Sequence, residues 1–200
     1  MQVSVIAGPS NVGKSTAAKA LGEIRGARLL EVDDLARSST SKALDFERDP
    51  SVWDQSPTSL CELLIGKGIA LWPEIASWID GSIIDTDQPT IIEGEGPSPG
   101  HLRAYQGADV AAVFVIEPDA RRLHDTLSER SQSYRKLPPL QQANVVQMNV
   151  LYGEWLRHEC DRQGIPWIES QPWATLLTRC TEALLESKEP GRVTAMRTLD

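Results

Sequence analysis

A short segment near the start of the chain combines glycines, a lysine and a hydroxyl group at a spacing that suits phosphate binding. Gly8-Pro9-Ser10-Asn11-Val12-Gly13-Lys14-Ser15 fits the pattern G-x-x-x-x-G-K-[ST]. Glycines let backbone N–H groups turn inward around an anion, and the N-terminus of a following helix adds its dipole. In such a loop the lysine reaches the β- and γ-phosphates and the serine hydroxyl ligates Mg²⁺. The segment therefore predicts a site for ATP and Mg²⁺.

The sequence on either side of this segment has the pattern that such a loop requires. Residues 2–7 are rich in Val and Ile, which predicts a strand, and apolar residues then recur at helical spacing over residues 14–24. A glycine-rich turn with an incidental lysine is the alternative, but it would not explain this context. The residues predicted to bind the nucleotide here are Gly8, Asn11, Val12, Gly13, Lys14, Ser15 and Thr16.

On these residues the chain resembles the P-loop nucleoside triphosphatases, and within them the small-molecule kinases of the nucleoside-monophosphate-kinase-like group. A G protein would carry an NKxD guanine motif, and the sequence has none. An oligomeric motor ATPase would be longer and would have a hydrophobic run ending in Asp-Glu. The resemblance covers most of the chain, although only the P-loop is highly specific, and it implies phosphoryl transfer from ATP.

A second group of charged residues follows the second predicted strand. Asp34-Leu35-Ala36-Arg37 fits a D-x-x-R pattern that is similar to one in polynucleotide-kinase-like and zeta-toxin-like kinases. That resemblance implies that the aspartate accepts the proton of the acceptor hydroxyl and that Arg37 holds substrate or phosphate. The alternative is a helix N-cap without chemistry. We favour Asp34 as the base and keep Asp33 as its competitor.

Glu93 ends the third predicted strand, in the sequence PTIIEGEG. The resemblance places a Walker-B-like acid at this position, which holds Mg²⁺ or orients the nucleophile. The usual residue is Asp, so Glu93 departs from the pattern and is a candidate for the metal, for the base, or for both. Gly94 begins a glycine-rich loop expected to wrap around the substrate, loosely similar to 2-phosphoglycerate-kinase-like proteins. Glu95 is expected to be a loop charge.

Residues 119–139 are rich in arginine and are predicted to form a helical lid. In the kinases that the chain resembles, arginines of this segment close over the phosphates, because the guanidinium fork binds phosphate bidentately. Arg130 and Arg135 are the predicted phosphate contacts, with Arg130 also assisting transfer. A solvated helix face is the alternative for this charge. Residues 171–173 would border the base, although ordinary packing is the stronger explanation for Trp173.

The alternation of strands and helices predicts an α/β fold, a three-layer sandwich with a five-stranded parallel sheet and the P-loop after the first strand. Strands are predicted at residues 2–7, 27–32, 89–92, 109–116 and 165–168. Helices are predicted at residues 14–24, around 44–46, 60–84 with an interruption at 66–68, 119–131, 140–163 and 173–186. Residues 1–188 are expected to form one domain, with 189–200 as a flexible tail.

The composition excludes several other classes of protein. The net charge of −8 over 200 residues disfavours nucleic acid as the main partner. No apolar run is long enough to span a membrane. Three distant cysteines without a CxxC motif argue against a disulfide scaffold and a zinc site, and favour a reduced, cytoplasmic protein.

These features together predict an ATP- and Mg²⁺-dependent phosphotransferase that moves the γ-phosphoryl group to a hydroxyl of a small molecule. A switch-type ATPase acting on a protein partner and a nucleic-acid end kinase are the alternatives. Residues 37–82 and 94–107 are expected to form the acceptor pocket. Nothing in the sequence indicates an oligomeric state.

Overall fold

The computed structural model describes residues 2–38, 50–85, 87–105 and 109–187. At its centre lies one sheet of five parallel strands in the order β2-β3-β1-β4-β5, which confirms the predicted α/β fold. The strands are β1 (Val3–Ala7), β2 (Arg28–Glu31), β3 (Thr90–Gly94), β4 (Val110–Ile116) and β5 (Trp167–Glu169). The carboxyl ends of all five strands therefore meet at one edge of the sheet, where ligands bind in open α/β sheets.

Helices cover both faces of this sheet and connect its parallel strands. They are α1 (Lys14–Arg25), α2 (Val32–Ser38), α3 (Pro57–Ile84), α4 (Pro99–Leu102), α5 (Ala120–Arg130), α6 (Gln132–Lys136), α7 (Pro139–Gln163) and α8 (Leu176–Glu186). Single 3₁₀ turns lie at Pro50–Asp54, Arg103–Tyr105 and Trp173–Thr175. Even α3, with 28 residues, lacks an apolar stretch that could cross a bilayer, and the same holds for every other described helix.

The sheet separates two hydrophobic cores. On β1, Val3 and Val5 face the core formed with α3 and α7, whereas Ile6 faces the core formed with α1 and α8. All residues of β1, β3 and β4 are buried because helices cover both faces of the sheet. This double burial explains why the strands read as continuous apolar runs rather than alternating ones.

Helix α3 is continuous, so the predicted interruption at residues 66–68 is wrong. Gly68 lies where α3 meets the loop after β3, and a Cβ atom on it would stand only 2.6 Å from the Gly96 carbonyl oxygen. The glycine thus permits a close approach and does not end the helix. Pro73 lies inside α3, where buried Leu71 and Ile75 pack the helix on either side of it.

The other boundaries differ from the predicted ones in two places that matter for the site. Helix α2 begins directly at Val32, so Asp33 and Asp34 lie in its first turn and not at a strand end. The stretch between the helices predicted at 119–131 and 140–163 contains a short helix, α6. The helix predicted around residues 44–46 and the tail at 189–200 fall outside the described residues.

The three cysteines have the role expected of small apolar residues. Cys61, Cys160 and Cys180 are all buried and unpaired. Burial raises the pKa of the Cys180 thiol to about 11, so this thiol stays protonated at neutral pH. The described residues contain no cluster of three or more metal-binding side chains.

Candidate functional site

The loop that carries the P-loop pattern connects the central strand β1 to helix α1. Gly8 adopts a φ of 141° and Gly13 a φ of 90°, while Asn11 between them has a φ of 62°. At Gly8 the chain passes so close to β4 that a Cβ atom would lie 2.1 Å from the Val115 carbonyl oxygen. Only glycine fits this approach. The loop therefore packs tightly against β4, the neighbour of the central strand β1.

Lys14, Ser15 and Glu93 come together at the carboxyl ends of the adjacent strands β1 and β3. The Lys14 side chain is buried, and its Nζ donates a hydrogen bond to the Pro9 carbonyl oxygen at 2.6 Å. Glu93 lies opposite Ile6 in the parallel register and is only 4 % exposed. Its carboxylate accepts a hydrogen bond from the Ser15 hydroxyl. Two of the predicted P-loop residues and the predicted acid therefore form one cluster.

Burial raises the pKa of Glu93 above the ordinary glutamate value. The ammonium of Lys14 and the hydrogen bond from Ser15 oppose this rise, and the negative charges of Asp33 and Glu31 add to it. Removing a carboxylate from water disfavours its charged form, and here this effect exceeds the attraction of Lys14. A carboxyl group with a raised pKa next to a buried lysine is typical of a functional site.

The oxygen atoms of this cluster fit a magnesium ion that arrives with a nucleotide. The Ser15 hydroxyl and the Glu93 carboxylate are hard oxygen ligands, and the hydroxyl lowers the pKa of that carboxylate. Mg²⁺ is usually held by one or two protein oxygens together with phosphates and water. The pair therefore fits a shared, nucleotide-dependent metal better than a resident one.

Asp33 and Asp34 face different partners although they are neighbours in the first turn of α2. Asp34 pairs with Arg37 one helical turn later, and both side chains are largely exposed. Asp33 is the one of the two whose charge acts on Glu93. The charge of Asp33 thus raises the pKa of Glu93, whereas Asp34 pairs with Arg37.

The predicted lid consists of the helices α5 and α6. Arg130 is the exposed last residue of α5. Arg135 on α6 turns back, and its Nη1 donates to the carbonyl oxygens of Ser128 at 2.8 Å and Glu129 at 3.0 Å. Arg135 therefore caps the end of α5, and phosphate binding by Arg130 and Arg135 stays a prediction.

A buried acid at the end of β4 escaped the sequence analysis. Glu117 is 4 % exposed and accepts hydrogen bonds from the Ser170 hydroxyl at 2.5 Å and the Asp119 N–H at 3.0 Å. An Arg122 guanidinium nitrogen lies 4.0 Å from the same carboxylate. The signal was present, because Glu117 directly follows the most apolar strand of the sequence. Glu117 thereby connects the loop after β5 to the start of α5, the first helix of the predicted lid.

Arg179 organises the loop that follows β5. Its guanidinium donates hydrogen bonds to the carbonyl oxygens of Glu169 at 2.5 Å, Ser170 at 3.2 Å and Pro172 at 3.0 Å. Trp173 packs directly on Gly13 of the P-loop, where a Cβ atom would stand 2.4 Å from the indole ring. Packing against the P-loop thus accounts for Trp173, and its place beside the loop is compatible with a nucleotide base nearby.

The glycine-rich loop after β3 connects the P-loop to a cavity. Glu95, expected to be only a loop charge, accepts a hydrogen bond from the Ser10 hydroxyl at 2.8 Å. Next to it, a cavity of about 170 Å³ lies between this loop and the helices α3, α4 and α7. Its lining residues on α3 and on the loop belong to the segments in which the acceptor pocket was predicted.

Solved structures of small-molecule kinases share this fold. The chain aligns with a sugar kinase from Janibacter sp. HTCC2649 at a TM-score of 0.58 and 17 % identity, over 93 % of this chain and 95 % of the other. For a shikimate kinase from Acinetobacter baumannii in complex with shikimate, the TM-score is 0.57 at 15 % identity, over 94 % and 95 %. For a gluconokinase from Sinorhizobium meliloti 1021 it is 0.51 at 15 % identity, over 92 % and 91 %.

These alignments cover more than nine tenths of both chains. At these identities the likeness establishes the fold, and it confirms the resemblance drawn from the sequence at that level. No protein-family model matches the chain. No curated protein sequence is significantly similar to it.

Proposed function

We propose that this chain is a phosphotransferase that moves the γ-phosphoryl group of ATP, with Mg²⁺, to a hydroxyl group of a small molecule. The observation that carries the proposal is the cluster of buried Lys14 and Glu93 with the exposed Ser15 at the carboxyl ends of adjacent parallel strands. A P-loop alone would fit many nucleotide-binding proteins. The fold that this chain shares with a sugar kinase, a shikimate kinase and a gluconokinase supports the kinase among them.

The residues divide the work of such a transfer between binding and activation. The inward-turned loop around Asn11 and Gly13 would hold the phosphates by its backbone N–H groups, and Lys14 would neutralise the phosphoryl oxygens. Ser15 and Glu93 would hold Mg²⁺, which when bound bridges the phosphates and offsets their charge. The exposed Arg130 would approach the phosphates from the lid.

A carboxylate must also orient the acceptor hydroxyl, and three candidates remain at this edge of the sheet. Glu93 interacts with the ammonium of Lys14 but also with the hydroxyl of Ser15. We propose Asp33 as the acceptor-side carboxylate, because its charge acts on Glu93 whereas Asp34 is paired with Arg37. Arg37 would then keep Asp34 away from the hydroxyl and take no direct part in transfer.

Replacing Asp33 with asparagine is expected to lower the rate of transfer by about 10²–10⁴-fold, because the acceptor hydroxyl loses its general base. The same change removes a negative charge that raises the pKa of Glu93, so the acidic limb of the pH–rate profile should move to lower pH. Asp34→Asn is the matched control, one residue away, and should leave both the rate and the limb nearly unchanged. A large loss in Asp34→Asn with a mild effect of Asp33→Asn would reverse the assignment.

The activity itself is tested by ADP release from Mg²⁺-ATP in the presence of hydroxyl metabolites, nucleosides and short oligonucleotides. Strong stimulation by one class of small hydroxyl compound is the expected result, and it would name the acceptor class. Stimulation by oligonucleotides alone would indicate a nucleic-acid end kinase. A slow rate that no compound changes would favour a switch-type ATPase and contradict the proposal.

A further inference from the structure

The loop that follows β5 is fixed by one side chain, Arg179 of the next helix, α8. Its guanidinium donates hydrogen bonds to the carbonyl oxygens of Glu169 at 2.5 Å, Ser170 at 3.2 Å and Pro172 at 3.0 Å. The Nε atom donates to the Thr175 hydroxyl at 3.1 Å, and that hydroxyl donates to the Pro172 carbonyl oxygen at 3.3 Å. All three guanidinium nitrogens therefore bind this loop and the turn after it. Hydrogen bonds from a charged donor are stronger than neutral ones, so the path of the loop depends on Arg179.

The same loop is also attached to the end of β4. Ser170 is fully buried, and its N–H donates to the Ile116 carbonyl oxygen at 2.8 Å. The Ser170 hydroxyl donates to the Glu117 carboxylate at 2.5 Å. These bonds fix the first part of the loop, and Arg179 supports the rest of it up to Pro172.

The fixed loop ends against the P-loop. A Cβ atom on Gly13 would lie 2.4 Å from the indole ring of Trp173 and 2.7 Å from a methyl group of Leu176. Gly13 has a φ of 90° and directly precedes Lys14, the first residue of α1. Leu176 is buried in the core, whereas Trp173 is 40 % exposed, so the position of the indole depends on the loop that carries it. The backbone of Gly13 in turn depends on that indole.

These contacts connect Arg179 with the phosphate-binding loop. They lead from its guanidinium through Pro172 and Trp173 to Gly13. Binding that must first order a loop is weaker, because the lost conformational entropy offsets part of the interaction free energy. A loop that is already fixed in the free protein avoids this loss when a nucleotide binds.

We propose that Arg179 is a positioning residue of the nucleotide site, which holds Trp173 against Gly13 and thereby preforms the P-loop for Mg²⁺-ATP. The inference rests on the proposed function, because it assumes that the P-loop binds this nucleotide. It goes beyond that function by assigning part of the nucleotide affinity to a residue of the last helix, outside the P-loop pattern.

The first test is binding of Mg²⁺-ATP to the full-length protein, measured by isothermal titration calorimetry. Arg179→Gln is expected to weaken binding by about tenfold, because the loop must then be ordered on binding. Arg179→Lys should lose nearly as much, since an ammonium keeps the charge but lacks the planar fork that reaches several carbonyl oxygens. Arg162→Gln is the matched control at an exposed arginine of α7 that pairs with Glu159, and it should leave binding unchanged.

A double variant tests the connection through Trp173. Trp173→Ala should also weaken binding of Mg²⁺-ATP by about tenfold, because it removes the contact with Gly13. If Arg179 acts through this contact, Arg179→Lys combined with Trp173→Ala should weaken binding no more than the stronger of the two single changes. Additive losses would indicate two independent effects and would overturn the inference.

NMR of the protein without nucleotide provides a measurement that does not depend on binding. The indole ring beside Gly13 displaces the chemical shifts of its α-protons, so Trp173→Ala should move these resonances. Both Arg179 variants should move them in the same direction, whereas Arg162→Gln should not. Lower stability alone would not cause this change well below the Tm, which is measured on the same samples. Should Arg179→Gln fail to fold, Arg179→Lys provides the same comparison.

The two measurements separate this inference from the proposed function. Wild-type affinity for Mg²⁺-ATP in both Arg179 variants, or Gly13 resonances that neither variant moves, would overturn the inference and leave the phosphotransferase proposal standing. Full binding in Arg179→Lys would also overturn it, because the charge without the planar fork would then be sufficient. Absence of Mg²⁺-ATP binding to the wild type would contradict the proposed function, while shifted Gly13 resonances would still show that Arg179 positions the P-loop.

Discussion

Replacing Lys14 with alanine is expected to lower nucleotide-dependent turnover by at least about 10²–10³-fold while the fold is retained. Lys14 provides the one buried ammonium of the described residues, and it directly follows the loop in which Gly8, Asn11 and Gly13 have a positive φ. In phosphoryl transfer little covalent chemistry falls to the protein, so electrostatic stabilisation of the phosphates accounts for most of the rate. Removing this charge should therefore affect the transition state far more than it affects folding.

The measurement is steady-state ADP release at saturating Mg²⁺-ATP and acceptor, with thermal unfolding measured on the same samples. Lys19→Ala is the matched control, because Lys19 lies on the same helix, is 60 % exposed and only pairs with Glu31 at 3.6 Å. It should have wild-type activity. Full activity in Lys14→Ala would remove the basis for placing the nucleotide at this loop.

Replacing Glu93 with glutamine should have the second large effect, and in two opposite directions. Transfer should fall by about 10²–10⁴-fold, because the amide neither balances the charge of Mg²⁺ nor orients a nucleophile. The protein should at the same time become more stable at neutral pH. The physical reason is that burial disfavours the charged form of the wild-type carboxyl group and raises its pKa.

The sign of this stability effect follows from proton binding. Burial raises the pKa of Glu93 in the folded chain above the ordinary value of 4.5. As the pH rises between these two values, the folded chain binds more protons than the unfolded chain, so the free energy of unfolding falls. The variant has no such proton to lose. Its Tm should exceed that of the wild type by about 2 °C or more at pH 7, and the difference should shrink as the pH falls toward 4.5.

Thermal unfolding from pH 4 to pH 8 checks this prediction, together with the pH–rate profile of the wild type. The wild-type rate should decline on the acidic side at a pH above that of an ordinary carboxyl group. Glu62→Gln, at an exposed position on α3, should change neither property. A Glu93→Gln protein that is less stable than the wild type at every pH would show that the carboxylate stabilises the fold instead.

The parts of the fold that the sequence predicted well are those governed by hydrophobic patterning over long stretches. The double-buried strands and the P-loop were predictable because each depends on residues that are close in the chain. The path of α3 was not, since Gly68 reads as a helix breaker until its neighbour across space is known. At Pro73, tertiary packing of the helix on both sides outweighs the tendency of proline to break a helix.

The site shows the same division between local and long-range information. Lys14, Ser15 and Glu93 were named from sequence, because strand order and strand ends place them at one edge of the sheet. The pairing of Asp34 with Arg37 could not be predicted, because the same D-x-x-R spacing suits a helical ion pair and a substrate site equally well. Glu95 and Glu117 depend on partners far away in the chain, Ser10 and Ser170, which no local pattern reveals.

The two separate cores have a consequence for how this protein can evolve or be engineered. Val12 of the P-loop packs with the helices α1 and α8 on one face of the sheet. The helices α3 and α7 surround the cavity on the other face. Substitutions at distant sites that share no partners affect stability almost independently. The wall of the cavity on α3 and α7 can therefore be varied with little effect on the core formed by α1 and α8, which makes the chain a suitable scaffold for laboratory selection of variants with an altered cavity.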